Sequence, residues 1–208
     1  MISHQHKCIF IHINKCCGTS IIETVPHSKH KPHRHVSYYK NGYSEVFDEY
    51  FKFSILRNPW DRMVSFYHFH IQRGWHLNWD WDINDYPDFN EFVSLISDYS
   101  KSKEKSIFKG DRGHPVTHTM RMSNGMDWLT DKDGNLLVDY IGRFEEIEKS
   151  FSYIANKIGL QSCVLPRTNN STHDHYSVYY TKKSRDIVAD RFSKDIAYFD
   201  YKFEGVSA

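Results

Sequence analysis

Apolar residues at every second position open the chain. Ile9, Ile11 and Ile13 alternate with Phe10 and His12, the period of a β-strand with one apolar face and one mixed face. The polar run NKCCGTS follows, and Ile21 and Ile22 then begin a helical stretch, so this region reads as a strand, an anion-sized loop and a helix start. Residues 26–44 are rich in His, Lys, Pro, Ser and Gly and read as irregular. Phe51, Phe53, Ile55 and Leu56 predict a second buried strand ending at Arg57. Asn58 is placed to cap the next helix and Pro59 to occupy its first position, with Met63, Val64, Tyr67 and Ile71 at helical spacing.

Periodicity is lost from Arg73 to Tyr86, RGWHLNWDWDINDY, and residues 73–87 read as an insertion loop. Asp88 and Glu91 have the spacing of a capping box before Phe92, Val93 and Ile96. Residues 100–125 are polar and read as loop, and Asp133-Gly134 between WLT and LLVDYI is a hairpin signal. A helix over 145–158 carries Ile147, Phe151, Ile154 and Ile158 and stops at Gly159, and a last helix should contain Ile187, Val188, Phe192 and Ile196. Strands alternating with helices, without internal repeat or linker, predict a single α/β domain over residues 1–208, with a mainly parallel central sheet flanked by helices.

Composition narrows the partners. The formal net charge of the 208 residues is +1, so bulk electrostatics give no reason to expect nucleic acid or a membrane surface. Attraction for an anion must then come from local clusters of Lys, Arg and His. Cys8, Cys16, Cys17 and Cys163 contain no CxxC pair, no pattern calls for a metal, and reduced thiols in a cytoplasm-like compartment are the simplest expectation. No stretch approaches the roughly 20 apolar residues that span a bilayer, and the start MISHQHKCIFIHIN lacks the features of a signal peptide. A soluble, cytoplasmic protein is expected; oligomeric state is not legible.

Two clusters carry the chemistry. HINKCCGTS puts Lys15 just after a strand and Gly18, Thr19 and Ser20 at a helix start. Backbone N–H groups there favour an anion, the hydroxyls can donate to phosphate oxygens, and Lys15 adds a mobile positive charge. The loop is not a Walker A loop, because Lys15 precedes Gly18 by three residues and the earlier Gly is missing. In the second cluster Arg57 ends a strand and Ser65 follows on the next helix, a pairing that suits a dianionic phosphate. Arg62 reads as structural, as an ion pair with Asp61 or a helix-surface charge.

Together these segments resemble the PAPS-dependent sulfotransferases (PAPS being 3′-phosphoadenosine 5′-phosphosulfate), in the branch of carbohydrate and Golgi-type enzymes with bacterial relatives. The family's 5′-phosphosulfate loop reads roughly HIPKTGGTS where this chain has HINKCCGTS, and its 3′-phosphate motif reads roughly FVRNPWDRLVSxY where this chain has ILRNPWDRMVSFY. YIGRFEEIEKSF and DIVADRFSKDIAYFDYKF resemble the family's C-terminal half. The resemblance implies a P-loop-like sulfotransferase fold and PAPS as donor. It implies that Lys15, Cys16, Cys17, Gly18, Thr19 and Ser20 hold the 5′-phosphosulfate, with Arg57 and Ser65 on the 3′-phosphate. Cys16-Cys17 stands where the family has Thr-Gly, which removes one hydroxyl donor and narrows the backbone conformations open to position 17.

A hydroxyl nucleophile needs a proton acceptor, a role for which His is suited near neutral pH. The segment PHRHVSYY lies between the two clusters, and its His-x-His-Val-Ser-Tyr pattern resembles the catalytic histidine segment of heparan sulfate 2-O-sulfotransferases. That resemblance nominates His35 as the base, with His33 as its partner or alternative, while His12 reads as structural. Lys15 would stabilise charge on the departing phosphate oxygen. The acceptor would be a glycan or another hydroxyl-bearing molecule. Trp75, Trp79 and Trp81 could face a sugar or pack the insertion onto the domain. A nucleotide-dependent kinase of P-loop architecture, or a non-enzymatic anion- or glycan-binding module, are the competing readings.

Overall fold

The two strands read from the hydrophobic pattern lie side by side in one sheet. In the computed structural model, which describes residues 1–28, 33–72, 87–97, 122–166 and 173–205, strands β1 (Ile2–Ser3), β2 (Cys8–Phe10), β3 (Phe51–Leu56) and β4 (Tyr140–Arg143) follow the order β1-β2-β3-β4. β2, β3 and β4 are parallel, with Cys8 opposite Phe51 and Phe53 opposite Tyr140, and only the two-residue β1 is antiparallel. The α-helices are α1 (Gly18–Thr24), α2 (Val36–Gly42), α3 (Ser44–Phe47), α4 (Pro59–Gln72), α5 (Phe89–Ser97), α6 (Met126–Leu129), α7 (Ile147–Lys157), α8 (Lys182–Arg191) and α9 (Ser193–Phe199). Short 3-10 turns occupy Phe144–Glu146 and Tyr176–Tyr179.

The chain divides into two compact units, Met1–Asn58 with Gly125–Asn170, and Pro59–Asn124 with Ser171–Ala208. The first contains the sheet. Its strands are buried on both faces: Ile9 and Ile11 are inaccessible, and on the face expected to be mixed Phe10 stacks on Phe53 with ring centroids 5.2 Å apart. Burial of both faces is the usual state of parallel strands covered by helices, and it explains why the alternation at 9–13 was not apolar against polar. α7 packs beside β4 through an apolar face that includes Phe151 and Ile154, and the chain leaves it through Gly159 at φ 69°. The hairpin signal resolves to a tight turn at Gly134, φ 85°, closed by an antiparallel bridge between Thr130 and Leu136.

The second unit is helical. Trp60, Met63, Val64, Phe92, Val188 and Phe192 are among the residues of its core, and Asp88 caps α5 by accepting from the N–H groups of Asn90 and Glu91 at 2.8 and 2.9 Å. Arg62 is structural, and a partner distant in sequence holds it. It is 1% exposed and pairs at 3.8 Å with the equally buried Asp195, while also donating to the Ser123 carbonyl at 3.1 Å.

Two elements depart from the sequence reading. Residues 26–44 are not wholly irregular, because α2 forms within them. Val36 and Tyr39, three apart, supply its buried face, and His35 caps it. The predicted last helix is broken into α8 and α9 at Phe192. The Asn124 side chain accepts from the N–H groups of Lys194 and Asp195 at 3.1 and 3.2 Å, so α9 starts with its own cap from a distant segment. The expected insertion, with Trp75, Trp79 and Trp81, lies outside the described residues, as does most of the loop expected at 100–125. Among the described residues no helix is long and apolar enough to cross a membrane, and no group of three or more His, Cys, Asp or Glu side chains could hold a metal ion.

The amino terminus is part of the core of the first unit. The Met1 amine donates to the Phe10 carbonyl at 2.9 Å and to the Tyr39 hydroxyl at 2.6 Å.

Candidate active site

The loop between β2 and α1 is anchored at its base by backbone pairing. The Ile11 N–H donates to the Phe53 carbonyl at 2.9 Å, and the Ser54 hydroxyl donates to the Ile11 carbonyl at 2.8 Å, so the chain leaves the sheet in a fixed direction. The turn is then made at Lys15, φ 61°, and Cys17, φ 62°, both in the left-handed region. Position 17 is where the related pattern has Gly, and here a side chain occupies a conformation that costs roughly 1–2 kcal/mol for an L-residue. Such strain is kept where surrounding contacts impose it, and active sites are a common place for it.

Within this loop Cys16 is buried and Cys17 is half-buried. Burial raises the Cys17 thiol, and this is partly offset by a hydrogen bond with Ser20 and the positive charge of Arg57. Cys8, on β2, is pushed up to about 12 by burial. A thiol raised by burial is a poor nucleophile. Thr19 is exposed at the start of α1, and Ser20 is buried behind it.

Arg57, at the end of β3, reaches this loop. Its Nη1 donates to the Lys15 carbonyl at 3.4 Å, and its guanidinium lies over the Phe144 ring, 4.2 Å from the centroid. Stacking on an aromatic face holds the planar fork of the guanidinium. Lys15, Cys17, Ser20 and Arg57 are therefore brought together. Ser65 is buried on α4, in the second unit. Sequence reasoning gave no role to Phe144 or Glu145. Glu145 accepts from the Asn58 N–H at 2.6 Å and faces Arg143 at 3.6 Å, so both residues fix the exit from β3. The available signal was the FEE run directly after β4.

The two nominated histidines differ sharply in what their rings do. His35 caps α2: its Nδ1 accepts from the Ser37 N–H at 3.0 Å and meets the Ser37 hydroxyl at 2.8 Å. With Nδ1 accepting, Nε2 carries the proton and donates to the Asp127 carbonyl at 2.6 Å. The basic lone pair of His35 is thus committed to the helix cap. His33 has the opposite tautomer. Its Nδ1 faces the His12 carbonyl at 3.2 Å and must donate to it, which puts the basic lone pair on Nε2. His33 also sits at φ 53°, a third left-handed residue beside the loop pair.

His12 lies between His33 and the loop. It is 8% exposed; its ring centroid is 4.3 Å from that of His33 and 5.6 Å from that of Phe10. Its other edge rests on Gly18, where a Cβ would fall 1.9 Å from Nε2. Glycine is therefore required at 18 by the imidazole beside it.

Comparison with known proteins identifies the family. The family model described as the sulfotransferase family matches residues 1–202. Carbohydrate sulfotransferase 10 of Xenopus laevis is 23% identical over 247 aligned positions that cover 97% of this chain and 66% of that protein. An uncharacterised protein of Archaeoglobus fulgidus is 26% identical over 132, covering 64% of this chain and 87% of its own. No solved structure matches. A family match that runs through the loop, the Arg57 strand end and the C-terminal helices makes this chain a member of the sulfotransferase family.

Proposed function

We propose that this protein, acting as one catalytic domain, transfers a sulfuryl group from PAPS to a hydroxyl of a carbohydrate acceptor by direct in-line displacement. The observation that carries the reading is the convergence of the Lys15–Ser20 loop, Arg57 and His33 in one unit of a sulfotransferase-family chain. β2, the loop and α1 serve as a P-loop-like cradle for the 5′-phosphosulfate, with Lys15 and the loop amides as its donors. Arg57 takes the 3′-phosphate. The name of the Xenopus relative supports a carbohydrate acceptor.

His33, rather than His35, is the base in this reading, because its Nδ1 donates to the His12 carbonyl whereas the Nδ1 of His35 accepts within the α2 cap. The acceptor hydroxyl loses its proton to Nε2 of His33 as its oxygen bonds to sulfur. The bond from sulfur to the 5′-phosphate oxygen breaks, and its electron pair stays on the departing 3′-phosphoadenosine 5′-phosphate (PAP). Lys15 stabilises the charge that develops there, so positioning and electrostatics supply most of the rate.

Thermal unfolding with PAP or ADP tests the donor site. PAP at a hundredfold its dissociation constant should stabilise the fold by about 2.7 kcal/mol, and ADP should do so far less. Arg57→Ala should weaken PAP binding about 10- to 100-fold, the loss of a charge-assisted hydrogen bond. Equal stabilisation by ADP and PAP would overturn the assignment.

A further inference from the structure

We propose that His12 is a positioning residue of the transfer reaction, a spacer whose imidazole sets the donor loop and the base His33 at a fixed separation. The inference rests on the sulfotransferase reading above and adds a residue that the sequence pattern placed in the structural background.

Three contacts of one side chain carry it. On one edge the His12 ring fills the space that any side chain at 18 would need: a Cβ there would lie 1.9 Å from Nε2, 2.1 Å from Cδ2 and 2.8 Å from Cε1. Gly18 is not in the left-handed region, so its need for glycine comes from this ring and not from its backbone angles. On the other side the ring meets His33, with centroids 4.3 Å apart and planes at 45°. Behind both, Phe10 stacks at 5.6 Å and 20°, holding the imidazole against the end of β2.

His12 also holds His33 through its backbone, since its carbonyl accepts from His33 Nδ1 at 3.2 Å. That bond selects the tautomer with a basic Nε2. The ring fixes where His33 stands, and the carbonyl fixes which nitrogen can act. The left-handed backbone of His33, φ 53°, is the kind of strain that persists only when neighbours impose it. In-line displacement needs the attacking oxygen, the sulfur and the leaving oxygen aligned, and a misplacement of about 1 Å can cost about 100-fold in rate. A rigid, nearly inaccessible ring touching both the loop and the base is suited to holding that alignment.

The test is a double-mutant cycle between His12 and Gly18, read by thermal unfolding, PAP affinity and transfer rate. Gly18→Ala alone should lower stability and weaken PAP binding, because the new methyl group collides with the ring. Adding His12→Ala should restore both, while the transfer rate stays low. His12→Ala by itself should bind PAP within about 3-fold of the parent and lose at least about 10-fold in kcat, the split expected when alignment and not donor binding is lost. His12→Asn keeps a short planar polar group in the slot and carries the same readout if the alanine variant does not fold. Full kcat in the folded His12 variants, or a double variant binding PAP no better than Gly18→Ala, would overturn the inference. Absence of PAP binding and transfer in the parent protein would instead overturn the sulfotransferase reading on which it depends.

Discussion

Replacing His33 by glutamine should reduce sulfuryl transfer by about 100- to 10,000-fold, the range expected when a general base is removed. PAP affinity should hardly change, because the His12 ring stands between His33 and Gly18. The matched control is His35→Asn. Asparagine can cap a helix N-terminus as His35 does, so α2 should persist and activity should remain within a few-fold of the parent. Single-turnover rates with donor in excess separate the two variants from effects on binding. A His33→Gln enzyme that turns over normally, with His35→Asn inactive, would reverse the assignment and make the cap residue the base.

The second large effect is on stability. Asp195→Ala should destabilise the protein by about 3–5 kcal/mol, because it leaves the guanidinium of Arg62 buried without its carboxylate. Both side chains are 1% exposed, so water cannot take over the role of the missing partner. Arg191 adds to the cost: burial and the neighbouring Arg62 already hold its pKa below the usual arginine range, and its Nε donates to the Met122 carbonyl at 2.8 Å. Removing Asp195 would leave this positive pair with less compensation. Replacing Arg62 and Asp195 together by apolar residues should cost much less than either single change, since the penalty belongs to the orphaned charge. Denaturant unfolding of the three variants gives the comparison, and additive losses would contradict the pairing.

Much of the fold was legible because it depends on local pattern. The strand at 51–56 and the helices beginning at 59 and 147 carry apolar residues at the periods of their elements, with turn or cap residues at their ends. What failed to show was set by contacts distant in sequence. The break at Phe192 depends on an asparagine 68 or more residues earlier supplying a cap, and nothing in the helical spacing of 187–196 marks it. The buried partner of Arg62 is likewise 133 residues away, while the adjacent Asp61 was the nearer candidate by sequence.

The site was legible to a similar depth. Lys15, Gly18 and Arg57 could be named because loop and strand-end motifs are contiguous, and Arg57 reaches the Lys15 carbonyl. His33 and His35 could not be told apart by residue type, since two histidines two residues apart have the same chemistry on paper. Only the observed partners, Ser37 with Asp127 for one and the His12 carbonyl for the other, distinguish their tautomers. His12 was read as a strand residue, and the link to Gly18 that gives it a second meaning is visible only as the space a side chain would need.

Sulfuryl transfer itself is measured by following radioactive sulfur from PAPS into a panel of glycans, with PAP release recorded in the same samples. Label should appear as an alkali-stable sulfate ester on at least one glycan, with one PAP released per sulfate transferred, and both signals should be lost in Arg57→Ala at limiting donor. Donor that binds but keeps its label in the presence of every acceptor would contradict the proposed transfer.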